Sequence, residues 1–165
     1  MIKNISNLGD AAVYCDFGKE VNKEINSNVI KYFYSIRNQK IKGINNLTPS
    51  YNKLIISFDL KLTNFNEIKK KIENLNINAN IFQNNKKIKI PVCCETIFSL
   101  DIEILEKKLL LKRDKILENF FNKEYFCYMT GFIAGMPFLG DLNKNMHTKR
   151  LETPWVSVHK GSVGI

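Results

Sequence analysis

Few residues in this sequence combine a reactive side chain with the neighbours that catalysis needs. His159 could act as a general base near neutral pH, although a structural or solvent-facing role is the favoured interpretation. Ser162 could act as a nucleophile only with a base beside it, and a turn hydroxyl is favoured instead. Arg150 is one of three arginines, and its planar guanidinium suits a carboxylate or a phosphate. The sequence therefore assigns no catalytic residue.

Four cysteines share an apolar, strand-like setting: Cys15, Cys93, Cys94 and Cys127. None of them forms a Cys-x-x-Cys pair, and neither His147 nor His159 lies at zinc-finger spacing from them. Buried free thiols are therefore predicted, and no metal site is expected.

A dense glycine stretch, residues 131–142, holds three glycines, one proline and two phenylalanines in its first ten positions. The phenylalanines need burial, which predicts an ordered, packed loop that follows a strand at 125–129. Two interpretations of this loop remain open. One is a tight corner of a β-barrel, and the other is the wall of a ligand site or of a contact between subunits. The spacing excludes a Walker loop and a dinucleotide fingerprint. The candidate substrate-binding or nucleotide-binding positions in this stretch are Gly131, Phe132, Gly135, Pro137 and Gly140.

The composition indicates a globular chain with a solvated basic surface. Its 165 residues are 44% hydrophobic, enough for one domain or two small ones. The net charge of +9 is the excess of 25 Lys and Arg over 16 Asp and Glu. The cations are 22 Lys and only 3 Arg, and the joint excess of Lys with 21 Asn and 21 Ile is typical of an AT-rich coding bias. Because nucleic-acid readers depend on Arg, no nucleic-acid partner is predicted. No apolar run of about 18 residues occurs and the N-terminus lacks an apolar signal core, so a cytoplasmic chain without a membrane span is expected.

Hydrophobic periodicity organises the first half of the chain as β-α-β-β-α-β. Asn64 with Glu67 resembles a capping box and predicts the start of the second helix. The other predicted elements are a strand at 11–17, a helix at 20–37, and strands at 41–48, 54–58 and 87–93. This order predicts a split β-α-β arrangement, an antiparallel sheet with helices on one face. Residues 78–85 have no periodicity and are predicted to be irregular.

The second half of the chain has a different character. Short helices are predicted from Asp101 and over residues 112–122, before the strand at 125–129. The alternating pattern of residues 156–158 predicts a strand, and residues 163–165 predict the start of another. The change of pattern predicts a seam between domains near residue 90.

Four motifs, in the right order, resemble one family. Residues 131–142 resemble the signature G-F-x-P-G-F-P-Y-L-G-G-L of the 5-oxoprolinase B-subunit family. Residues 9–18 resemble its opening G-D-x-x-x-x-x-x-F-G, residues 90–93 its I-P-V-C, and residues 161–165 its G-S-V-G-I. The family also includes the kinase inhibitor KipI, allophanate hydrolase subunit 1 and part of the urea carboxylase carboxyltransferase domain (subdomains C and D). The last motif adds Gly161 and Ser162 to the candidate binding residues.

The resemblance implies an α+β chain: a ferredoxin-like domain, residues 1–90, followed by a partial cyclophilin-like β-barrel domain, residues 91–165. It also implies a complex with a homologous C subunit, and with the A subunit in the enzyme that opens 5-oxoproline to glutamate. ATP is then the implied cofactor, since the unreactive lactam must be activated with phosphate. Two alternatives stay open: a KipI-like inhibitor of a sensor histidine kinase, or a carboxyltransferase subunit of the allophanate hydrolase or urea carboxylase type.

The sequence departs from the family pattern at several positions. Three replacements fall in the glycine stretch: Ala134 for proline, Met136 for phenylalanine and Asp141 for glycine. Of two Pro-Arg pairs in the pattern only Arg150 keeps its arginine, and His159 stands where the family has proline. Family members continue through several more barrel strands beyond Ile165, so an incomplete barrel is expected. Residues from about 125 onward should then be less protected from hydrogen exchange than residues 1–90.

Overall fold

The computed structural model describes residues 1–77 and 86–165, which divide into two compact units. The first unit combines residues 1–86 with residues 126–139, and the second combines residues 87–125 with residues 140–165. The segment 78–85, predicted to be irregular, lies outside the described residues. A domain seam near residue 90 stays a prediction.

The sheet of the first unit has four antiparallel strands: β1 Asn4–Asn7, β2 Ala12–Asp16, β3 Ile44–Pro49 and β4 Lys53–Phe58. Their order across the sheet is β1-β2-β4-β3, so β2 and β4 are central and β1 and β3 are edges. The register sets Val13 opposite Ile56 and Cys15 opposite Leu54, and all four side chains are fully buried. Since side chains alternate along a strand, the other face of β2 and β4 is only half-buried. The chain is thus a mixture of helices and antiparallel sheet, as predicted.

Two helices, α1 Lys23–Gln39 and α2 Phe65–Glu73, complete the core of the first unit. Their buried contributions are Val29 and Ile36 from α1 and Ile68 and Ile72 from α2. The predicted cap of α2 is confirmed, because Asn64 Oδ1 accepts a hydrogen bond from the backbone N–H of Glu67 at 3.1 Å. Asn22 caps α1 in the same way, through the N–H of Ile25 at 2.9 Å.

The fourth strand of this sheet is not the one predicted. Residues 87–93 hold no regular structure, and Ile88 and Ile90 are 72% and 63% exposed. The edge position beside β2 is taken by β1, which pairs from Asn4 opposite Asp16 to Asn7 opposite Val13. Alternation at residues 87–93 suits a strand, but a strand also needs a neighbour, and β1 already occupies that edge.

Residues 126–139 join the first unit as part of a two-stranded hairpin, β5 Phe126–Thr130 and β6 Pro137–Gly140. The strand predicted before the glycine stretch is therefore confirmed as β5. The prediction of a loop over the whole stretch is wrong for its second half, because β6 begins at Pro137. Proline is tolerated at the first residue of an edge strand.

The regular elements of the second unit are helical. Its elements are α3 Ile102–Leu109, α4 Arg113–Phe121 and two 3₁₀ turns at Thr96–Phe98 and Lys144–Met146. The helices predicted from Asp101 and over 112–122 are confirmed, and Ile116 of α4 is buried. The strands predicted at 156–158 and 163–165 are wrong, because residues 151–165 are exposed and no described strand pairs with them. Neither described sheet closes into a barrel, and no helix of the described ranges is long and apolar enough to cross a bilayer.

The cysteines differ sharply in exposure. Cys15 is fully buried, and burial raises the pKa of its thiol to about 12. The prediction of burial is wrong for Cys93 and Cys127, which are exposed, and Cys94 is half-buried. A strand-like pattern does not reveal whether a neighbour covers a given face, which explains the error.

Thiol labelling checks this difference. A brief iodoacetamide pulse on the native chain near neutral pH is expected to modify Cys93 and Cys127 and to spare Cys15, because the thiolate is the reactive form. Unfolding in urea serves as the control and should make all four cysteines react at similar rates. Mass spectrometry of the peptides gives the result, and native labelling of Cys15 at the rate of Cys127 would contradict the assigned core.

Candidate functional site

The tip of the β5–β6 hairpin, residues 131–136, is an ordered turn with its own hydrogen bonds. The N–H of Gly131 donates to the carbonyl of Met136 at 3.0 Å, and the N–H of Met136 donates to the carbonyl of Ile133 at 3.2 Å. Gly135 has φ of +81°, a conformation that suits glycine. Phe132 also has a positive φ, +65°, which costs a bulky residue about 1–2 kcal/mol.

The tip displays its apolar side chains to solvent. Phe132 is 91% exposed, so its predicted packing is wrong, whereas Phe138 of β6 is half-buried as expected. The other exposed apolar residues of the hairpin are Ile133, Met136 and Leu139. Residues 131–140 contain no ionisable side chain. The tip can therefore contact an apolar surface, but residues 131–140 offer no side chain for acid–base catalysis.

The backbone N–H groups of the turn bear on the predicted nucleotide binding. A phosphate cradle needs several backbone N–H groups that point at the ligand. Here the N–H groups of Gly131, Ile133 and Met136 donate to carbonyls of the turn itself. A Cβ at Gly135 would meet no atom within 4 Å, so no close approach requires this glycine. Binding of ATP, which the family resemblance implies, stays a prediction for this turn.

Asn26 ties the base of the hairpin to the first unit. This residue of α1 is only 2% exposed. Its Nδ2 donates to the carbonyl oxygens of Ser50, Tyr51 and Tyr128, at 3.2, 3.0 and 3.1 Å. One side chain therefore holds α1, the turn between β3 and β4, and β5 together across 102 residues of sequence. Losing a buried donor of this kind costs about 1–3 kcal/mol.

Aromatic rings complete the joint between the hairpin and the turn. The ring centroid of Tyr51 lies 5.9 Å from that of Tyr128 and 6.2 Å from that of Phe138. Phe126 lies 4.8 Å from Tyr128 in an edge-on arrangement. The pKa of the Tyr51 hydroxyl is raised, first by burial in this cluster and then by the charge of the nearby Cys127. These ring contacts fix both strands of the hairpin, β5 and β6, and the exposed tip extends from this rigid base.

A second polar joint lies beside the start of α1. Asn52 Nδ2 donates to the carbonyl oxygens of Gly18 and Glu20, at 2.9 and 3.0 Å. Lys53 Nζ lies 2.6 Å from Asp16 Oδ1, which also accepts from the N–H of Gly18. The hydrogen bond from Lys53, and then that from Gly18, hold the pKa of Asp16 below its ordinary value. These contacts fix the chain between β2 and α1.

The remaining predicted site residues fall in the second unit. Arg150 and His159 are exposed, and Gly140 ends β6. Ser162 Oγ donates to the backbone carbonyl of His159 at 2.7 Å, and the Ser162 N–H donates to the same oxygen at 3.1 Å. Together with Gly161 at φ +86°, this geometry is a turn, as favoured for Ser162. The binding roles of these residues stay predictions, as does that of Arg150.

Metal ligation is not favoured by the side chains of the described ranges. Residues 1–77 and 86–165 contain no group of three or more His, Cys, Asp or Glu side chains placed to hold a metal ion.

Sequence reasoning missed Asn26 and Tyr51. A signal for Asn26 existed, because it lies one turn before Val29 on the stripe of α1 that faces the core. A polar residue at such a position needs a buried partner. The partner itself could not be predicted, because β5 lies far along the chain.

Comparison with known sequences decides the family. The family described as carboxyltransferase domain, subdomain C and D, matches residues 3–165. The chain belongs to this carboxyltransferase-domain family. The four sequence motifs that resemble it are thereby explained, including the glycine stretch that forms the hairpin.

Relatives within the carboxyltransferase-domain family share a name. The chain is 30% identical to the 5-oxoprolinase B subunit of Bacillus subtilis, over 98% of this chain and 72% of that protein. It is 27% identical to the 5-oxoprolinase B subunit of Haemophilus influenzae, over 98% of this chain and 75% of that protein. The crystal structure of TTHA0988 superposes with a TM-score of 0.73 at 19% identity, which shows the fold alone. That match covers 87% of this chain and 28% of TTHA0988.

Proposed function

We propose that this chain is one subunit of an ATP-dependent 5-oxoprolinase, acting with homologues of the A and C subunits. The observation that carries the proposal is the 30% identity to a 5-oxoprolinase B subunit over 98% of this chain. The carboxyltransferase-domain family match over residues 3–165 is consistent with this proposal and with the alternatives named above. The reaction would open the lactam of 5-oxoproline to glutamate in the cytoplasm, where ATP is supplied.

The proposal includes a finer description of the fold. We describe the first unit as ferredoxin-like, because its order β1-β2-β4-β3 separates the parallel strands β2 and β3 by β4, with helices after β2 and β4. The cyclophilin-like barrel of the second unit rests on the family resemblance alone.

The chemistry of the hairpin suggests a division of labour among the subunits. Three N–H groups of its turn donate within the turn, and residues 131–140 carry no ionisable side chain. ATP and the groups that activate the lactam are therefore assigned to the partner subunits, with Arg150 as the contribution of this chain to binding. The tip carrying Phe132 and Ile133 is assigned to an apolar recess on the C-subunit homologue, which would cover side chains that are 91% and 62% exposed.

Reconstitution tests the proposal. Co-expression of this chain with its A-subunit and C-subunit homologues is expected to give ATP-dependent conversion of 5-oxoproline to glutamate, and the set lacking this chain is expected to give none. Equal turnover without this chain would refute the proposal. So would failure of the complete set together with inhibition of sensor kinase autophosphorylation by the purified chain, the result that a KipI-like regulator predicts.

Arg150 offers a sharper prediction within the same assay. Arg150→Ala is expected to lower kcat/KM of the complex by more than about fivefold, beyond the roughly 0–1 kcal/mol of a surface ion pair. Lys149→Ala is the matched control, because its side chain is adjacent, cationic and also exposed. Equal kinetics for both variants would return Arg150 to an ordinary surface role.

A further inference from the structure

A groove of about 410 Å³ follows the β3 edge of the sheet, between β3 and the end of α1. Its apolar lining consists of Phe33, Ile36, Ile41, Ile44 and Leu47, and its polar lining consists of Arg37, Lys40, Asn45 and Asn46. All of these residues belong to the first unit. The groove thus offers polar and apolar surface in about equal parts. It lies apart from the hairpin tip in the sequence and is built by other elements.

The polar lining of the groove is positively charged, and no carboxylate of the lining neutralises it. The two cations are Arg37 and Lys40. Neither side chain forms an ion pair with an acidic residue of the described ranges. The C-terminal end of α1 contributes only about half a negative charge, against two full positive charges. The Arg37 guanidinium lies 6.0 Å from the ring centroid of Phe33, which places it over the apolar lining of the groove.

The adjoining strand edge has free pairing capacity. β3 pairs with β4 on one side and is the last strand of the sheet on the other. In an antiparallel ladder, alternate residues direct their N–H and C=O groups away from the partner, and no described strand receives those of β3. Edge strands are commonly protected by lysine, by proline or by a bulge; β3 has no lysine, although the chain has 22, but it has the other two devices. The bulge between Ile44 and Asn46 and the terminal Pro49 limit the pairing stretch to about three residues.

We infer that the β3 edge binds an extended acidic segment of a partner protein as an added strand. Asn46 and Thr48 face β4 in this register, so the backbone of the segment would pair with Leu47 between them. An apolar side chain of the segment would enter the groove, and its carboxylates would face Arg37 and Lys40. The strand edge dictates the extended conformation, and the uncompensated cations dictate the acidic character. This inference is independent of the proposed 5-oxoprolinase activity, which assigns nothing to β3.

A synthetic peptide provides the probe. The peptide alternates Glu and Ile over six residues, with blocked ends, and is titrated into the ¹⁵N-labelled full chain up to about 1 mM. Amide shifts are expected to concentrate in residues 44–48 and along the groove. A peptide with Lys in place of Glu, and a Glu-Ile peptide N-methylated on alternate backbone nitrogens, are each expected to bind at least about tenfold more weakly.

Charge reversal on the protein completes the test. Arg37→Glu is expected to weaken binding about tenfold. Lys71→Glu is the matched control, because Lys71 also lies in the last turn of a helix, α2, but does not line the groove. Each of the following results would overturn the inference: no shifts at β3, equal binding of the Lys or N-methylated peptide, or equal effects of the two variants. Displacement of the peptide by free glutamate at similar concentration would instead identify a small-carboxylate site and refute strand addition.

Discussion

Replacing Asn26 with aspartate is expected to lower the free energy of unfolding of the first unit by about 3 kcal/mol near neutral pH. The wild-type Nδ2 donates to the carbonyl oxygens of Ser50, Tyr51 and Tyr128. A carboxylate there would face the same oxygens with a negative charge and no proton, in a position that is 2% exposed. Urea unfolding followed by circular dichroism measures the loss.

The pH dependence of this variant identifies the cause. Burial beside carbonyl oxygens should raise the pKa of the new carboxyl in the folded state above its value of about 3.9 in the unfolded chain. The variant should therefore recover stability as the pH falls, and lose it as the pH rises through the folded-state pKa. Asn28→Asp, on the same helix but only half-buried, is the control and should cost little. Equal losses for the two variants would contradict the anchoring role of Asn26.

Truncating Tyr128 is the second large effect, because it removes a buried ring from the joint. Tyr128 is 3% exposed and packs against Tyr51 and Phe126. Tyr128→Ala is expected to cost about 3–5 kcal/mol of unfolding free energy, as for other large core aromatics. The matched control lies on the same hairpin: Phe132→Ala should change stability by less than about 0.5 kcal/mol, because that ring is 91% exposed.

The two aromatic positions separate folding from association. If the tip docks on the C-subunit homologue, Phe132→Ala should reduce co-purification with that protein while leaving the unfolding midpoint unchanged. The account would be contradicted if Phe132→Ala destabilised the chain as much as Tyr128→Ala. Undiminished co-purification of the Phe132→Ala variant would show that the tip does not belong to the interface.

Local patterns were sufficient for the elements that make their own core. The period-two alternation of β2 and β4 and the helical stripe of α1 gave their positions within a few residues, and Asn64 gave the start of α2. Family membership was likewise predictable, because four motifs in the right order resemble the family pattern, and one of their glycines, Gly135, has the positive φ that suits glycine.

Partnerships between distant segments could not be predicted in this way. β1 has a single apolar residue, Ile5, and becomes a strand only because β2 offers it an edge. Residues 87–93 have the better pattern and find no described strand to pair with. The packing of Phe132 was predicted wrongly for a related reason, since a phenylalanine in a turn can serve a partner molecule instead of its own core. Asn26 needed knowledge of β5, which no local window contains.

Amide hydrogen exchange, on the chain alone and in the co-expressed complex, tests the central claim that a rigidly anchored hairpin presents its tip to a partner. Although the sequence suggested weak protection from about residue 125 onward, the anchoring contacts favour protection of β5. Amides of β5 are expected to exchange as slowly as those of β4 in the chain alone, and residues 131–136 are expected to exchange fast alone and slowly in the complex. Fast exchange of β5 in the chain alone, or unchanged exchange of the tip in the complex, would contradict this claim.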